Sequence, residues 1–222
     1  MKLLNRVRGD TTLSDRAVWQ AASLLLAYPD AERQQRLDTV ADLLPHVRGS
    51  ARDPLGRAHA GLGALELRSA AEDYVATFDL RRRCTMYLTY WTAGDTRNRG
   101  AAMHAFLSAY RESGAHAPKS EAPDYLPVVL EFAARVDPVA GRRLLVEHRV
   151  PIDVLCDALV ESGSVYGDAV TAVCATLPRA TEQEAQRAQR LAQAGPPAEA
   201  VGLQPFTLTV PPRRETGGNG HG

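Results

Sequence analysis

Apolar residues recur along this chain at intervals of three and four, are interrupted by proline and glycine, and nowhere settle into sustained two-residue alternation. Such a pattern builds helices with one buried stripe and disfavours half-buried strands. From Ser14, the residues Val18, Ala21, Ala22, Leu25 and Leu26 share a helical face until Tyr28-Pro29-Asp30 breaks it. Leu37, Val40, Ala41, Leu44 and Val47 form a second stripe that Pro45 ends or kinks. Asp53-Pro54 offers a cap and a proline at the first helical position for a third, with Leu55, Ala58, Leu62 and Leu65 inward. Gly94-Asp95 opens a helix capped by Asp95, with Ala102, Met103, Phe106, Leu107 and Tyr110 as its stripe and Gly114 as its terminator. After a polar loop over 114–123, Asp124 is expected to cap a helix with Pro127 in its first turn. Further helices start at Asp137-Pro138 and Pro151, and a last core helix follows Gly163 to Gly167 and ends near Leu177-Pro178. The expectation is an all-α fold, a single globular bundle of about eight to ten helices.

The organisation read from this pattern is a helical domain over 1–178, an exposed helix within 179–194 and a disordered tail over 195–222. Thr181 and Glu184 stand at capping-box spacing before a Gln-, Ala- and Arg-rich run with almost no apolar face. Of the 28 residues from Gly195 onward, 11 are Gly or Pro, a density that suits disorder.

Several function classes drop out. Lys+Arg and Asp+Glu are equal at 26 each, so the chain lacks the positive excess that neutralises nucleic-acid phosphates. Cys84, Cys156 and Cys174 are odd in number and without CxxC spacing, which gives neither a disulfide framework nor a zinc ribbon and fits a reducing compartment. Arg6, Arg8 and Asp10 interrupt the start before a signal-peptide core forms, and no later stretch approaches the roughly 18 apolar residues that span a bilayer. A cytoplasmic location is expected, with no direct membrane insertion. GxSxG, HExxH and GxxxxGK[ST] are absent, and no GxGxxG stands between a strand and a helix. The six histidines have no partner three or four residues away that would place two metal ligands on one helix face.

Two segments carry most of the functional information. Over 70–91, Tyr74, Val75, Phe78, Leu80, Met86, Tyr87, Leu88, Tyr90 and Trp91 crowd together, with Asp79 and the arginines 81–83 among them. Burying the aromatics and solvating the charges accounts for most of these residues one by one. The density of interleaved aromatic and charged groups is what a recognition surface uses, because aromatic anchors and arginines concentrate binding energy. In Ala122-Pro123-Asp124-Tyr125-Leu126-Pro127, two prolines bracket a polar, an aromatic and an apolar residue. Residues 79–100 hold five arginines and two aspartates, and residues 121–137 hold four acidic residues and one arginine. Packed together, the two would form a polarised, aromatic-lined groove for an amphipathic peptide.

YVATFDLRRRCTMYLTYWTAGDTRNRG and APDYLPVVLEFAA strongly resemble the nitrate reductase molybdenum cofactor assembly chaperones, the NarJ type within the wider TorD-like family, and the resemblance covers about residues 14–178. Its most specific parts are Phe78-Asp79-Leu80-Arg81-Arg82-Arg83, Leu88-Thr89-Tyr90, Gly94-Asp95-Thr96-Arg97 with Arg99-Gly100, and Pro123-Asp124-Tyr125-Leu126-Pro127 with Leu130-Glu131-Phe132. The resemblance implies an all-helical protein without catalytic activity, metal or cofactor of its own. Its partner would be the catalytic alpha subunit of nitrate reductase, bound through its amino-terminal segment and in its apo form while molybdenum cofactor and an iron–sulfur cluster are inserted. The cofactor delivery machinery is a further partner implied. The client-binding role carries over to Asp124, Tyr125 and Leu126, and with them to Tyr74, Phe78, Asp79, Tyr90 and Trp91. Ala122 stands where the family has a larger residue, and the tail after Gly195 lies outside the resemblance. Two rival readings are a helical hydrolase using Asp79, Asp95, Asp124 and an arginine around a phosphate, and a regulatory adaptor for another protein.

Overall fold

The computed structural model of the chain describes residues 11–93 and 97–195. The expected Asp95 cap, the opening ten residues and the tail from 196 lie outside the described residues. Among the described residues there are eleven α-helices and no strand: α1 (Leu13–Leu25), α2 (Arg33–Leu43), α3 (Arg52–Gly63), α4 (Leu67–Tyr74), α5 (Tyr90–Ala93), α6 (Arg97–Glu112), α7 (Leu126–Glu131), α8 (Pro138–Glu147), α9 (Arg149–Glu161), α10 (Gly167–Thr176) and α11 (Glu182–Ala194). The all-α expectation holds, and the count exceeds the anticipated range because short pieces such as α5 are helices in their own right. No helix among the described residues is long and apolar enough to cross a membrane.

Local chemistry explains the helix starts. Thr12 and Asp15 form a capping box, each side chain bound to the other's backbone N–H at 3.0 Å, so α1 begins one residue before Ser14. Asp53 is not a cap: a tight turn over Gly49–Ala51 runs directly into α3, which puts Ala51 at the cap and Asp53 inside the first turn. Pro54 costs nothing there, since that N–H has no intrahelical acceptor in any case. Asp137 caps α8 as expected, accepting from the N–H groups of Val139 and Ala140. Gly114 follows α6 with φ +70°, the left-handed conformation that ends helices.

The core is centred on α1 and α7. Residues 126 to 130 of α7 are all buried, as in a helix apolar on every side. Trp19 of α1 is fully buried and its indole N–H donates to Thr176 Oγ1 at 2.8 Å, tying α1 to the end of α10. Two wide π-type turns follow helices without a break, Val75–Asp79 after α4 and Phe132–Val136 after α7. The second passes so close to α8 that a β-carbon at Gly141 would overlap the Cα and Cβ of Ala133. Only glycine fits that crossing.

Helix α11 has the Thr181–Glu184 capping box that the sequence predicts. It is docked rather than free. Ala188, Leu191 and Ala192, at spacings of three and four, make a narrow stripe against Trp91, Val150 and Val154, which ties α11 to α9 and to the end of α5.

A tyrosine seam as the candidate functional site

The two segments singled out in the sequence meet as backbone. Leu88 N–H donates to the Asp124 carbonyl at 3.0 Å and Leu126 N–H to the Met86 carbonyl at 2.9 Å, a one-rung antiparallel bridge with Tyr87 opposite Tyr125. Those bonds flank the tyrosines instead of joining them, which is the closer side-chain arrangement of an antiparallel pair. The two rings lie 5.2 Å apart at 37°.

Asp124 locks this bridge from inside. It is 0% exposed, and its Oδ2 accepts from the Thr89 hydroxyl at 2.5 Å and from the Thr89 N–H at 3.2 Å. Oδ1 faces Arg99 Nη2 at 3.4 Å, and the same guanidinium lies over the Tyr87 ring, 4.8 Å from its centroid. Expected as the cap of α7, Asp124 does not play that part: Tyr125 occupies the cap and no side chain serves it. A carboxylate spent on Thr89 and Arg99 in full burial is a positioning group for both loops. It also has no free edge for a hydrolase substrate.

Behind the bridge lies an aromatic cluster. Tyr74 Oη and Tyr125 Oη share a hydrogen bond of 2.6 Å. Tyr74 packs on Phe78 at 4.8 Å, on Tyr28 at 5.3 Å and on Tyr166 at 5.8 Å, and Phe78 meets Tyr166 at 4.9 Å. The π-type turn produces this geometry by closing Leu80 N–H onto the Val75 carbonyl, which leaves Thr77 and Phe78 buried and turns Asp79 and Leu80 out to solvent. Burial of the phenols raises their pKa values: Tyr125 is pushed up to about 12, and Tyr74, with Tyr125 against it, is raised further. Tyr87 is raised by burial and then by the Glu121 carboxylate. Asp79 and Glu121, both exposed, also act to raise Tyr87 and Tyr125, while the Arg99 guanidinium opposes them at Tyr87, so the rim around the two half-buried tyrosines is charged with both signs.

The structure sorts the predicted residues into groups. Tyr74, Phe78, Asp124, Tyr125 and Leu126 come together, although of these only Tyr125 is partly open to solvent. Asp79 stands at the rim, and Tyr90 is half-buried at the start of α5. Trp91, 1% exposed, belongs to the separate cluster under α11. The arginines do not all line one groove. Arg81, Arg82 and Arg83 border a depression of ≈ 460 Å³ with Ala158, Glu161 and Ser162 of the α9 end, and Arg83 lies 3.9 Å from Glu161. Sequence reasoning passed over Thr89, Arg99 and Tyr166 as site residues. The first two stood inside the quoted segments, whereas nothing near Tyr166 in the sequence signals a part in the cluster. Among the described residues no group of three His, Cys, Asp or Glu side chains is arranged to hold a metal.

Fold and seam together define an all-helical bundle organised around a loop-to-loop junction, with aromatic edges at its surface. The family model described as nitrate reductase delta subunit matches residues 30–172, and the chain belongs to that family. It is 30% identical over 166 residues to the probable nitrate reductase molybdenum cofactor assembly chaperone NarJ of Bacillus subtilis, covering 74% of this chain and 90% of that protein. To the nitrate reductase molybdenum cofactor assembly chaperone NarJ of Escherichia coli K12 it is 31% identical over 120 residues, 51% of this chain and 50% of that one. The nitrate reductase-like protein NarX of Mycobacterium tuberculosis H37Rv is 55% identical over 159 residues, 72% of this chain. The match spans only 24% of NarX.

Proposed function

We propose that this chain is a non-enzymatic assembly chaperone that acts in the cytoplasm on the catalytic subunit of a nitrate reductase. It binds that subunit in its apo form, in part through the amino-terminal segment, while molybdenum cofactor and an iron–sulfur cluster are inserted. Family membership and the two NarJ relatives support the class of client. The observation that carries the site is the Tyr87–Tyr125 bridge, which sets two half-buried aromatic rings on a backbone that cannot shift without breaking the Asp124–Thr89 link.

A client helix would lay its apolar face on Tyr125, Tyr87 and Tyr90 and direct its basic groups to Asp79 and Glu121. Tyr74, Phe78, Asp124 and Leu126 hold these rings in place from behind, and Trp91 fixes α5 against α9 and α11. Binding stabilises the open client by mass action, and release follows when the client folds around its cofactor. No nucleotide enters this scheme.

The test is calorimetric titration of a peptide from the amino terminus of the same organism's nitrate reductase catalytic subunit. Saturable binding is expected, weakened by about 1 to 3 kcal/mol in Tyr125→Ala and Tyr87→Ala and unchanged in Val139→Ala, on an exposed part of α8. Failure to bind both the peptide and the intact apo subunit refutes the reading.

A further inference from the structure

Outside the seam, α9 and α10 bring two cysteines to one stretch of their interface. The helices run antiparallel in one register: Val160 faces Gly167, Cys156 faces Thr171, and Asp153 faces Cys174. A β-carbon at Gly167 would stand 3.3 Å from the Val160 nitrogen, Cys156 Sγ is 3.3 Å from Thr171 Oγ1, and Cys174 Sγ is 3.6 Å from Asp153 Oδ1. The glycine lets the helices approach closely, and the register sets Cys156 and Cys174 on neighbouring rungs of the interface. Both are free thiols in half-buried residues.

We propose that Cys156 and Cys174 are a reversible oxidation site at which a hydroperoxide drives formation of a disulfide between α9 and α10. The Cys156 thiolate attacks the terminal oxygen of the hydroperoxide; the O–O bond breaks, leaving a sulfenic acid on Cys156 and an alcohol, or water when the oxidant is hydrogen peroxide. Cys174 sulfur then attacks the Cys156 sulfur, the S–S bond forms, the S–O bond breaks, and the departing hydroxide leaves as water with the Cys174 proton. Two thiols lose two electrons and two protons, and the peroxide gains them.

The environment gives the two sulfurs different parts. The neighbouring Cys174 thiol and then Thr171 hold the Cys156 pKa below the usual thiol value, which favours it as the attacking thiolate. The Cys156 thiol beside it, together with burial, raises Cys174, which suits it to the part of the second thiol. The cross-link would close a loop over 157–173 and pin α9, whose Val154 supports Trp91 and α11.

The test treats the full chain with hydrogen peroxide, alkylates remaining thiols and maps peptides without reduction. The expected result is the loss of two hydrogens per molecule, a Cys156–Cys174 linked peptide that dithiothreitol reverses, a Cys84 that stays reduced, and a rise in Tm of roughly 5 °C. In Cys174→Ser, a sulfenic acid at Cys156 trapped by dimedone replaces the link. Both thiols still alkylatable after peroxide, or a link that uses Cys84 or joins two chains, would overturn the proposal; the wild-type map decides this even if the variant does not fold.

Discussion

Replacing Asp124 by alanine should destabilise the fold by about 3 to 5 kcal/mol. The carboxylate is 0% exposed and accepts two hydrogen bonds from Thr89, at 2.5 and 3.2 Å. Each donor left without an acceptor in a site closed to water costs about 1 to 3 kcal/mol, and breaking a buried charged pair from one side falls at about 3 to 5 kcal/mol. The Arg99 contact adds less, because that side chain is 18% exposed and 3.4 Å away, and water can replace the ion pair in part. Asp124→Asn keeps the shape and one oxygen for Thr89 but turns an amide N–H₂ toward the guanidinium, so it should lose about 1 to 2 kcal/mol. Thr89→Val removes the hydroxyl and should lose about 1.5 to 3 kcal/mol. Urea unfolding followed by far-ultraviolet circular dichroism measures all three, and a slope of about 2.5 kcal/mol/M moves the alanine midpoint down by about 1.5 M. The double variant should lose less than the sum of its parts, with a coupling of about 1.5 kcal/mol. A loss below about 0.5 kcal/mol in Asp124→Ala, or strict additivity with Thr89→Val, would refute the claim that this carboxylate locks the two loops.

Gly141→Ala should cost about 3 kcal/mol or more, since its β-carbon would meet the backbone of Ala133, whereas Gly56→Ala, mid-helix with nothing within 4 Å, should gain about 0.5 to 1 kcal/mol; thermal unfolding compares them directly. Tyr125 is raised to about 12 in the folded state, so above the ordinary tyrosine pKa of about 10 the unfolded chain releases protons that the folded chain keeps. The stability from this group is complete below about pH 10 and is lost as pH climbs toward 12, and the fall in unfolding free energy across that window should be shallower in Tyr125→Phe. Leu191→Asp places a charge in the stripe that docks α11 beside Trp91, and hydrogen exchange should accelerate across α11 while α1 and α7 keep their protection.

How much was legible beforehand differs from helix to helix. Helix α1 was readable because its buried residues repeat at three and four, and α10 because glycines separate it from α9 and Leu177-Pro178 end it. Asp137 was readable as a cap because Pro138 follows it and nothing long-range competes for its carboxylate. Asp124 has the same local grammar and behaves differently, because its oxygens find Thr89, 35 residues away in sequence and adjacent across the bridge. Trp91 looked like a partner of Phe78 on density alone, yet the turns between them send it to a separate cluster under α11. The stripe of α11 was overlooked because Ala188 and Ala192 carry little apolar weight until Trp91 and Val154 stand opposite them.

The sequence by itself determined that the chain is all-helical, where most helices begin and end, and that two short segments concentrate its aromatic and charged residues, because periodicity, capping and turn preferences act over a few residues. Only the tertiary structure decided that those segments pair through backbone at Tyr87 and Tyr125, that Asp124 points inward, that three arginines face α9, and that Cys156 and Cys174 stand on neighbouring rungs of one helix interface. Each of these depends on which distant groups satisfy a buried donor, acceptor or thiol, and that choice is made when the helices pack.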